Sequence, residues 1–598
     1  MQRRRSSRRP ADRTTARALP ARAKVAFYLC FAIALYLTYR LYDVQVVHGP
    51  AFAAEARKQQ VQSVEIFARR GSILDREGTV LVRSAPAESV YAVPSEVTDP
   101  VIVARKLAQI LGLKPADIEA GLHERTQFLW VARKVRHDQA MRVQRANLPG
   151  IAIIEEQTGV RKAPSGHLAS TVLGFVGMDE NGLDGIEYQF DKLLRGTPGK
   201  MTAESDEFGR PIPLGRSIVE PAKPGRVVEL TIDSYLQFEA ERAISQQVRA
   251  FHAKSGTAIV MDPHTGEILA LANEPDFDPV HFAAFSADER RDRAVMDAYE
   301  PGSTFKVVTV AAALESGRIT PSTTFPALDQ LEVGGRVIHN AEDGFLAGTN
   351  ARETMEDIVA YSHNVGAAEI GMSLGRRRVL AEIKRFGFGE PTNIELPGEN
   401  PGIVPAPQDW SASTLPTISF GQSIAVTPLA LIRAYAAIAN GGLLLRPRIV
   451  SKLLDADGHV IYAYPTEVER RVISPKTAAI IRGYLRAVVV RGTGNPSAQV
   501  PGYTTAGKTG TAQVVENGRY APGAYIASFV GYIPADHPRY VILVKVERPR
   551  GAIYGSVVAA PAFVKIARAA MLHAGIMPAV PPRPGRLVKS AGGAKTST

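Results

Sequence analysis

Between Lys24 and Arg40 the chain reads VAFYLCFAIALYLTY, fifteen residues without a charge or a helix breaker. No other stretch approaches membrane-spanning length, so this run dictates topology: the rest of the chain is tethered to a bilayer or has been exported past it. As a helix the run covers only about 22 Å, short of a hydrocarbon core of about 30 Å. The flanks close the gap, because Lys24 and Arg40 can snorkel to the two interfaces, and Leu41, Tyr42, Val44, Val46 and Val47 continue an amphipathic extension. A cleaved signal peptide is the competing reading, since a basic segment, an apolar core and the small-x-small run Ala51-Phe52-Ala53 are all present. That run lies about twelve residues past the apolar core, farther than cleavage usually falls. The expectation is therefore a cytoplasmic basic tail over residues 1–24 and an uncleaved single transmembrane helix over residues 25–47. Everything after Val47 would lie outside, under the positive-inside rule. Cys30 would be filler in lipid, and as the single cysteine it excludes an intrachain disulfide framework.

The net charge of +12 invites a nucleic-acid reading until its location is examined. Residues 1–24 hold nine Lys or Arg against Asp12 alone, and the segment after residue 575 adds Arg583, Arg586, Lys589 and Lys595. These two ends, +8 and +4, account for the whole excess, so the body between them is neutral and no nucleic-acid partner is expected. The last stretch, residues 576–598, is rich in Pro, Gly, Lys and Ser, and reads as a disordered tail.

Within the body, two strand-turn-strand patterns stand out. Ser72-Ile73-Leu74 and Thr79-Val80-Leu81 flank a turn at Asp75 to Gly78, and Thr257 to Met261 and Glu267 to Ala272 flank one at Asp262 to Gly266. Lys223-Pro224-Gly225 reads as a hinge between a region over 48–225, with short strands and helices and no chemical cluster, and a region over 226–575. After it comes a strand ending at Asp233, which with Ser234 can cap a helix whose apolar face is Leu236, Ala240, Ile244, Val248 and Phe251. A largely helical middle from about 290 to 440 precedes strand-like runs at Thr504 to Val515, Ile526 to Ile533 and Tyr540 to Glu547, closed by a helix from Ala562 to Ala574. Strands at both ends with helices between them predict an α+β multidomain protein, with one antiparallel sheet packed by helices.

Three short sequences carry chemistry together, although each is weak alone. In Tyr299-Glu300-Pro301-Gly302-Ser303-Thr304-Phe305-Lys306, Pro301 and Gly302 open a helix that Gly317 can end. Ser303 then lies at a helix N-terminus with Lys306 one turn on, where a neutral amine could take the serine proton. The plain alternative is a serine cap beside a surface lysine. Ser362-His363-Asn364 puts a hydroxyl and a carboxamide two residues apart near a helix end, and could equally be a capping turn. Gly507-Lys508-Thr509-Gly510-Thr511-Ala512 lies within a strand-like run, where glycine often marks close backbone approach of another chain or a ligand. Lys508 would supply a positive charge, Thr509 and Thr511 hydroxyls, and the strand edge a site for an extended peptide. GYTTAGKT also satisfies the P-loop expression, but β-branched and aromatic residues surround it and no helix follows.

Ser-x-x-Lys, Ser-Asp-Asn and Lys-Thr-Gly, in this order, form the signature of penicillin-binding proteins and class A β-lactamases, which the three sequences here resemble. Here they stand 59 residues (Ser303 to Ser362) and 205 residues (Ser303 to Lys508) apart. The surrounding text carries the resemblance further. ARRGSILDREGTVLV, RKAPSGHLASTVLGFVG and GLDGIEYQFDKLLRGTPG resemble the non-catalytic domain of class B, monofunctional penicillin-binding proteins. MDPHTGEILALANEPDFDP, SFGQSIAVTPLALIRAYAAIANGG and AAPAFVKIA resemble the catalytic one. The likeness runs from the anchor to about Ala574 and is strongest to the septal, cell-division branch, with the elongation-specific branch second. Two positions depart: His363 stands where Ser or Asp is usual, and Ala163 precedes Pro164 where an aromatic residue is common.

This resemblance implies an elongated mixed α/β pedestal (dimerisation-like) domain over 48–225, and a serine transpeptidase domain of the penicillin-binding, β-lactamase-like fold over 226–575. It implies a D,D-transpeptidase that crosslinks peptidoglycan stem peptides, with a D-Ala-D-Ala donor and an amine acceptor, and that is acylated by β-lactams. Ser303 would be the nucleophile and Lys306 its base, kept neutral by Lys508 and burial. Ser362 would relay a proton, Asn364 would hold the donor peptide, and Lys508, Thr509, Gly510 and Thr511 would form the substrate strand. The backbone N–H groups of Ser303 and Thr511 would make the oxyanion hole. No cofactor or metal is implied, since the twelve histidines show no ligand spacing, and His363 reads as a surface or groove residue. Expected partners are the inner (cytoplasmic) membrane through one helix, a membrane-embedded glycan polymerase and other division proteins. Two rivals remain at this level: a β-lactamase, for which no deacylating base can be assigned, and a non-enzymatic scaffold that senses β-lactams.

Overall fold

The computed structural model describes residues 21–52, 61–66, 68–124, 126, 128–204, 217–341 and 351–579. The basic tail up to residue 20 and the C-terminal tail from residue 580 lie outside the described residues. By contacts the chain forms two units, Met1–Ile66 with Pro198–Ala222, and Phe67–Thr197 with Lys223–Thr598.

The first unit contains helix α1 (Ala21–Tyr42), which continues into a π-helical turn at Asp43–Val47. Its 22 residues give about 33 Å, so the helix removes the shortfall of the fifteen-residue run by extending past both flanking cations. Phe27, Leu29 and Phe31 are all more than half exposed along it. Among the described residues it is the one helix long and apolar enough to cross a membrane. The same unit holds an antiparallel sheet of Val61–Ile66, Gly199–Glu204 and Ser217–Glu220.

The second unit is built on a five-stranded antiparallel sheet. Its strands are β1 (Ser255–Met261), β2 (Ile268–Glu274), β3 (Ala506–Glu516), β4 (Arg519–Ile533) and β5 (Tyr540–Glu547), in the spatial order β2-β1-β5-β4-β3. Around it stand α2 (Ser234–Ala250), α3 (Lys306–Glu315), α4 (Met355–Ala360), α5 (Asn364–Leu374), α6 (Pro428–Ala439) and α7 (Ala560–His573). Both faces of the sheet are covered, so its inner strands read as continuous apolar runs. Ile542, Val544 and Val546 of β5 pack with α2 and α7, while Val541 and Leu543 join the core that holds α3, α5 and α6. Asp233 caps α2 by accepting from Tyr235 N and Leu236 N. The predicted face of α2 is inward: Leu236, Ala240, Ile244 and Val248 are buried. α6 is buried all round, the pattern of a helix at the centre of a large core. The helical middle also contains two small sheets, Thr324–Pro326 with Arg352–Thr354, and Gln330–Val333 with Arg336–His339, which the sequence pattern does not signal.

The segment expected as a hinge starts at a unit boundary, and backbone hydrogen bonds tie it to residues 69 and 197. Lys223 N donates to Thr197 O, Gly225 N donates to Arg69 O, and a Cβ on Gly225 would lie 1.7 Å from Leu194 O. The strand that follows, Val227–Leu230, pairs parallel with Ile73–Leu74 and antiparallel with Val450–Leu454 in a seven-stranded sheet.

The region around residues 70–190 also holds a cluster that the sequence reading does not contain. Arg70 and Glu187, each 2% exposed at the side chain, form an ion pair at 2.6 Å, and Arg70 Nη1 reaches Asp191 Oδ1 at 2.7 Å. Arg161 Nε donates to Glu187 Oε1 at 2.9 Å and its Nη1 to Ser84 Oγ at 3.1 Å, and Ser84 Oγ donates to Glu180 Oε2 at 3.0 Å. Arg70, Arg161 and Glu187 come from the three segments that carry the resemblance in this region, so those segments hold one buried charge network.

Candidate active site

Gly302–Phe305 form a 3₁₀ turn that runs directly into α3. In a 3₁₀ turn residues i and i+3 eclipse, which stacks Ser303 and Lys306 on one side. Three contacts fix this turn. Thr304 Oγ1 donates to Pro301 O at 2.7 Å, Tyr435 Oη of α6 donates to Thr304 O at 2.8 Å, and Glu300 Oε1 accepts Ser423 N at 2.7 Å. Gly302 has φ +56, and a Cβ there would stand 3.2 Å from Thr511 O, so glycine serves both the turn and the close approach of β3.

The second motif is a turn between two helices. α4 ends at Ala360, His363 stands at the N-cap position of α5 without a side-chain cap bond, and Ser362 between them has φ +65, a left-handed conformation that costs a non-glycine residue about 1 kcal/mol or more. Tertiary contacts hold it there. Lys306 Nζ bonds Ser362 O, Asn364 Oδ1 at 2.8 Å and Ser362 Oγ at 3.3 Å, and Asn340 Oδ1 accepts Asn364 N at 2.8 Å. The Lys306 nitrogen is the donor in all three of its contacts, to the Ser362 carbonyl, the Ser362 hydroxyl and the Asn364 carboxamide oxygen.

β3 is the free edge of the sheet. Lys508 shares a face with Ala506 and Val514, which join the core that contains α3, and its side chain is fully buried. Its Nζ donates to Thr509 O at 3.2 Å. Thr509 and Thr511 take the opposite face, where Thr509 Oγ1 meets Thr493 Oγ1 at 2.7 Å and Thr511 Oγ1 accepts Gly555 N at 3.4 Å. The glycine in this strand does mark close approach, and the approaching chain includes the Ser303 turn. A Cβ on Gly510 would lie 2.3 Å from Ser528 Oγ and 2.9 Å from Thr304 Cγ2. Gly510→Ala therefore has to push β3 away from the Ser303 turn. We expect a loss of about 1–3 kcal/mol of stability and a drop in Ser303 acylation of at least about tenfold, measured by thermal melting and stopped-flow labelling.

These elements enclose a cavity of about 530 Å³ lined by Ser303, Ser362, His363, Asn364, Thr509 and Thr511, among others. Lys306 and Lys508 lie behind its wall, both fully buried. Burial first, and the Lys508 charge second, push the Lys306 amine well below the ordinary lysine value, while Glu353 acts in the opposite sense. Burial also pushes Lys508 down, to about 7. His363 is a buried groove residue and not a surface one: it is 8% exposed, and its Nδ1 contacts Glu353 Oε2.

Sequence reasoning missed Thr493, Asn340 and Glu353. Each is an isolated polar residue whose partner is at least ten residues away, so no local spacing flags it. Among the described residues, the one group of ligand-type side chains close enough to share a cation is Asp455, Asp457 and His459. It sits in a turn where Asp455 Oδ1 already accepts Asp457 N and His459 N.

Comparison with known proteins gives a consistent picture. Residues 256–568 match the family described as the penicillin binding protein transpeptidase domain, and residues 65–230 the penicillin-binding protein dimerisation domain. The chain is 33% identical over 566 residues to stage V sporulation protein D of Bacillus subtilis, covering 93% of this chain and 86% of the relative. It is 31% identical over 544 residues to peptidoglycan D,D-transpeptidase FtsI of Escherichia coli, covering 89% of each. Among solved structures, penicillin binding protein 3 of Mycobacterium tuberculosis complexed with aztreonam aligns with a TM-score of 0.66 at 29% identity, over 87% of this chain and 99% of that one.

Proposed function

The chain belongs to the class B penicillin-binding proteins, and on that premise we propose that it crosslinks peptidoglycan through an acyl-enzyme on Ser303, in septal wall synthesis. Its activity is that of a peptidoglycan D,D-transpeptidase. The observation that carries the residue assignment is Lys306, a fully buried lysine that bonds Ser362 and Asn364 from one 3₁₀ turn beyond Ser303.

In this mechanism the Lys306 amine takes the Ser303 Oγ proton as Oγ attacks the carbonyl carbon of the penultimate D-alanine. The oxyanion that forms is stabilised by the N–H groups of Ser303 and Thr511. The C–N bond then breaks, the departing D-alanine amine collects the proton through Ser362, and the acyl group stays on Ser303. The amine of a second stem attacks that ester, forms the new amide and returns the proton to Ser303. Asn364 holds the donor backbone, Thr509 and Thr511 bond its terminal carboxylate, and Lys508 supplies the facing positive charge. β-Lactams acylate Ser303 by the same attack. The basic tail keeps the N-terminus cytoplasmic, so α1 anchors the catalytic region on the outer side of the inner membrane. The anchor and the region over 48–225 meet a membrane glycan polymerase and other division proteins.

Incubation with a β-lactam followed by peptide mass spectrometry tests the assignment. A stable adduct on the peptide containing Ser303 is expected. An adduct on another residue overturns the site, and rapid turnover without an adduct favours a β-lactamase. The rate of that acylation should depend on pH in two opposed ways: it gains as Lys306 becomes neutral, and it loses as Lys508, pushed down to about 7 by burial, gives up its charge. A profile flat from pH 5 to 10 would sink the roles given to both lysines. Depletion in cells tests the septal role: filaments support it, and rounded cells assign the protein to elongation.

A further inference from the structure

Behind the Ser362 turn lies a charged cluster that the mechanism above does not use. Glu353, in the short strand Arg352–Thr354, is 5% exposed, and its Oε2 contacts His363 Nδ1. Its other oxygen, Oε1, has no hydrogen-bond partner among the described residues. That oxygen rests on the first turn of α5, since a Cβ on Gly366 would lie 2.5 Å from it. Gly366 thus leaves the room the carboxylate occupies, and the N-terminal end of an eleven-residue helix favours an anion there. The opposite strand offers Phe325 to Glu353 and no charge.

The other ionisable groups around the pair are few. Glu369, on α5, is pushed up to about 7 by burial first and by the Glu353 charge second. Arg352 points to Thr324. Tyr361 stacks its ring on His363 at 5.9 Å, and Arg491 pairs with Glu356 and Asp357 of α4. Lys306, on α3, responds to Glu353 in the sense opposite to burial and Lys508.

We propose that Glu353 and His363 are a positioning pair for the reaction. The pair locks the left-handed Ser362 turn against Lys306, and the Glu353 carboxylate sets how acidic the medium can become before Ser303 stops being acylated. The first half follows from connectivity. Ser362 is strained, its carbonyl is held by Lys306, and the next residue is tied to a buried carboxylate anchored in a neighbouring strand. The second half follows from sign. An anion behind Lys306 favours the ammonium form, so Glu353 holds back the neutral amine that burial and Lys508 promote. Burial sets most of the displacement of Lys306, and the two charges act on it in opposite senses. This inference rests on the assignment of Ser303 as nucleophile and Lys306 as base.

The test is the second-order acylation rate of full-length protein in detergent with a fluorescent penicillin, followed from pH 4.5 to 9. Glu353→Gln keeps an acceptor for His363 and removes the charge. Its acid limb should move to lower pH by about one unit, which on the limb is a roughly tenfold faster rate at fixed pH. Glu353→Asp keeps the charge and should leave the limb in place even if the plateau falls. Glu353→Met, of similar volume and uncharged, should share the displaced limb with a lower plateau, and it serves as the second uncharged variant if the glutamine form does not fold. An unmoved limb in the uncharged variants, whatever their plateau, makes the pair a packing feature and overturns the proposal. Absence of a Ser303 adduct in the unsubstituted protein would instead overturn the assignment of the site, and this inference with it.

Discussion

Lys306→Met will slow acylation of Ser303 by about 10³-fold, with the fold intact. Methionine matches lysine in length and needs no desolvation of an amine, and the position is completely buried within an apolar helix. The substitution orphans Ser362 O and Asn364 Oδ1, which costs about 1–3 kcal/mol. The methionine side chain still fills the site, so the melting temperature should fall by several degrees while the rate collapses. Lys306→Arg should not rescue it, because a guanidinium stays protonated at any working pH and cannot take the Ser303 proton. A Lys306→Met rate within tenfold of the unsubstituted protein would assign the proton transfer to another group.

Glu187→Ala gives the largest expected loss of stability. Both carboxylate oxygens are engaged, Oε2 by Arg70 and Oε1 by Arg161, and both guanidinium groups are nearly inaccessible to water, at 2% and 6% side-chain exposure. Alanine leaves two buried cations facing a void. Breaking a buried pair from one side costs about 3–5 kcal/mol, a large part of the 5–15 kcal/mol that holds a typical domain together. Glu187→Gln keeps the acceptor oxygen but loses the charge, and should fall between the two. Differential scanning calorimetry of the three proteins checks the order, and equal melting temperatures would show that water or Asp191 takes over the arginines.

The three candidate motifs were legible as motifs because their geometry is local. One 3₁₀ turn places Ser303 over Lys306, and two residues separate Ser362 from Asn364, so spacing alone predicts that each pair faces one way. The hairpins, the Asp233 cap and the three late strands were legible for the same reason. Long-range pairings left no such trace. Glu187 lies 117 residues from Arg70, and nothing along the chain distinguishes these arginines from those that face solvent. Glu353 stands just before Thr354, whose capping box with Asp357 makes the segment look like an ordinary exposed helix start. Lys223-Pro224-Gly225 has the composition of a linker, yet its glycine is there because the backbone of Leu194 passes too close for any side chain. Gly510 announced a close approach correctly, and only the fold could identify the neighbour as the turn that carries Ser303.

The burial of Lys508 beside Lys306 has a thermodynamic consequence. Burial pushes the Lys508 amine down to about 7, so its proton is held weakly in the free site. A carboxylate that docks on Thr509 and Thr511 supplies the missing counter-charge and raises the affinity of Lys508 for a proton. Ligand binding and proton uptake are then one linked event, so an anionic substrate or drug draws a proton from the buffer as it binds, and the heat of binding varies with the buffer's own ionisation enthalpy. An uncharged analogue of the same shape binds without that exchange.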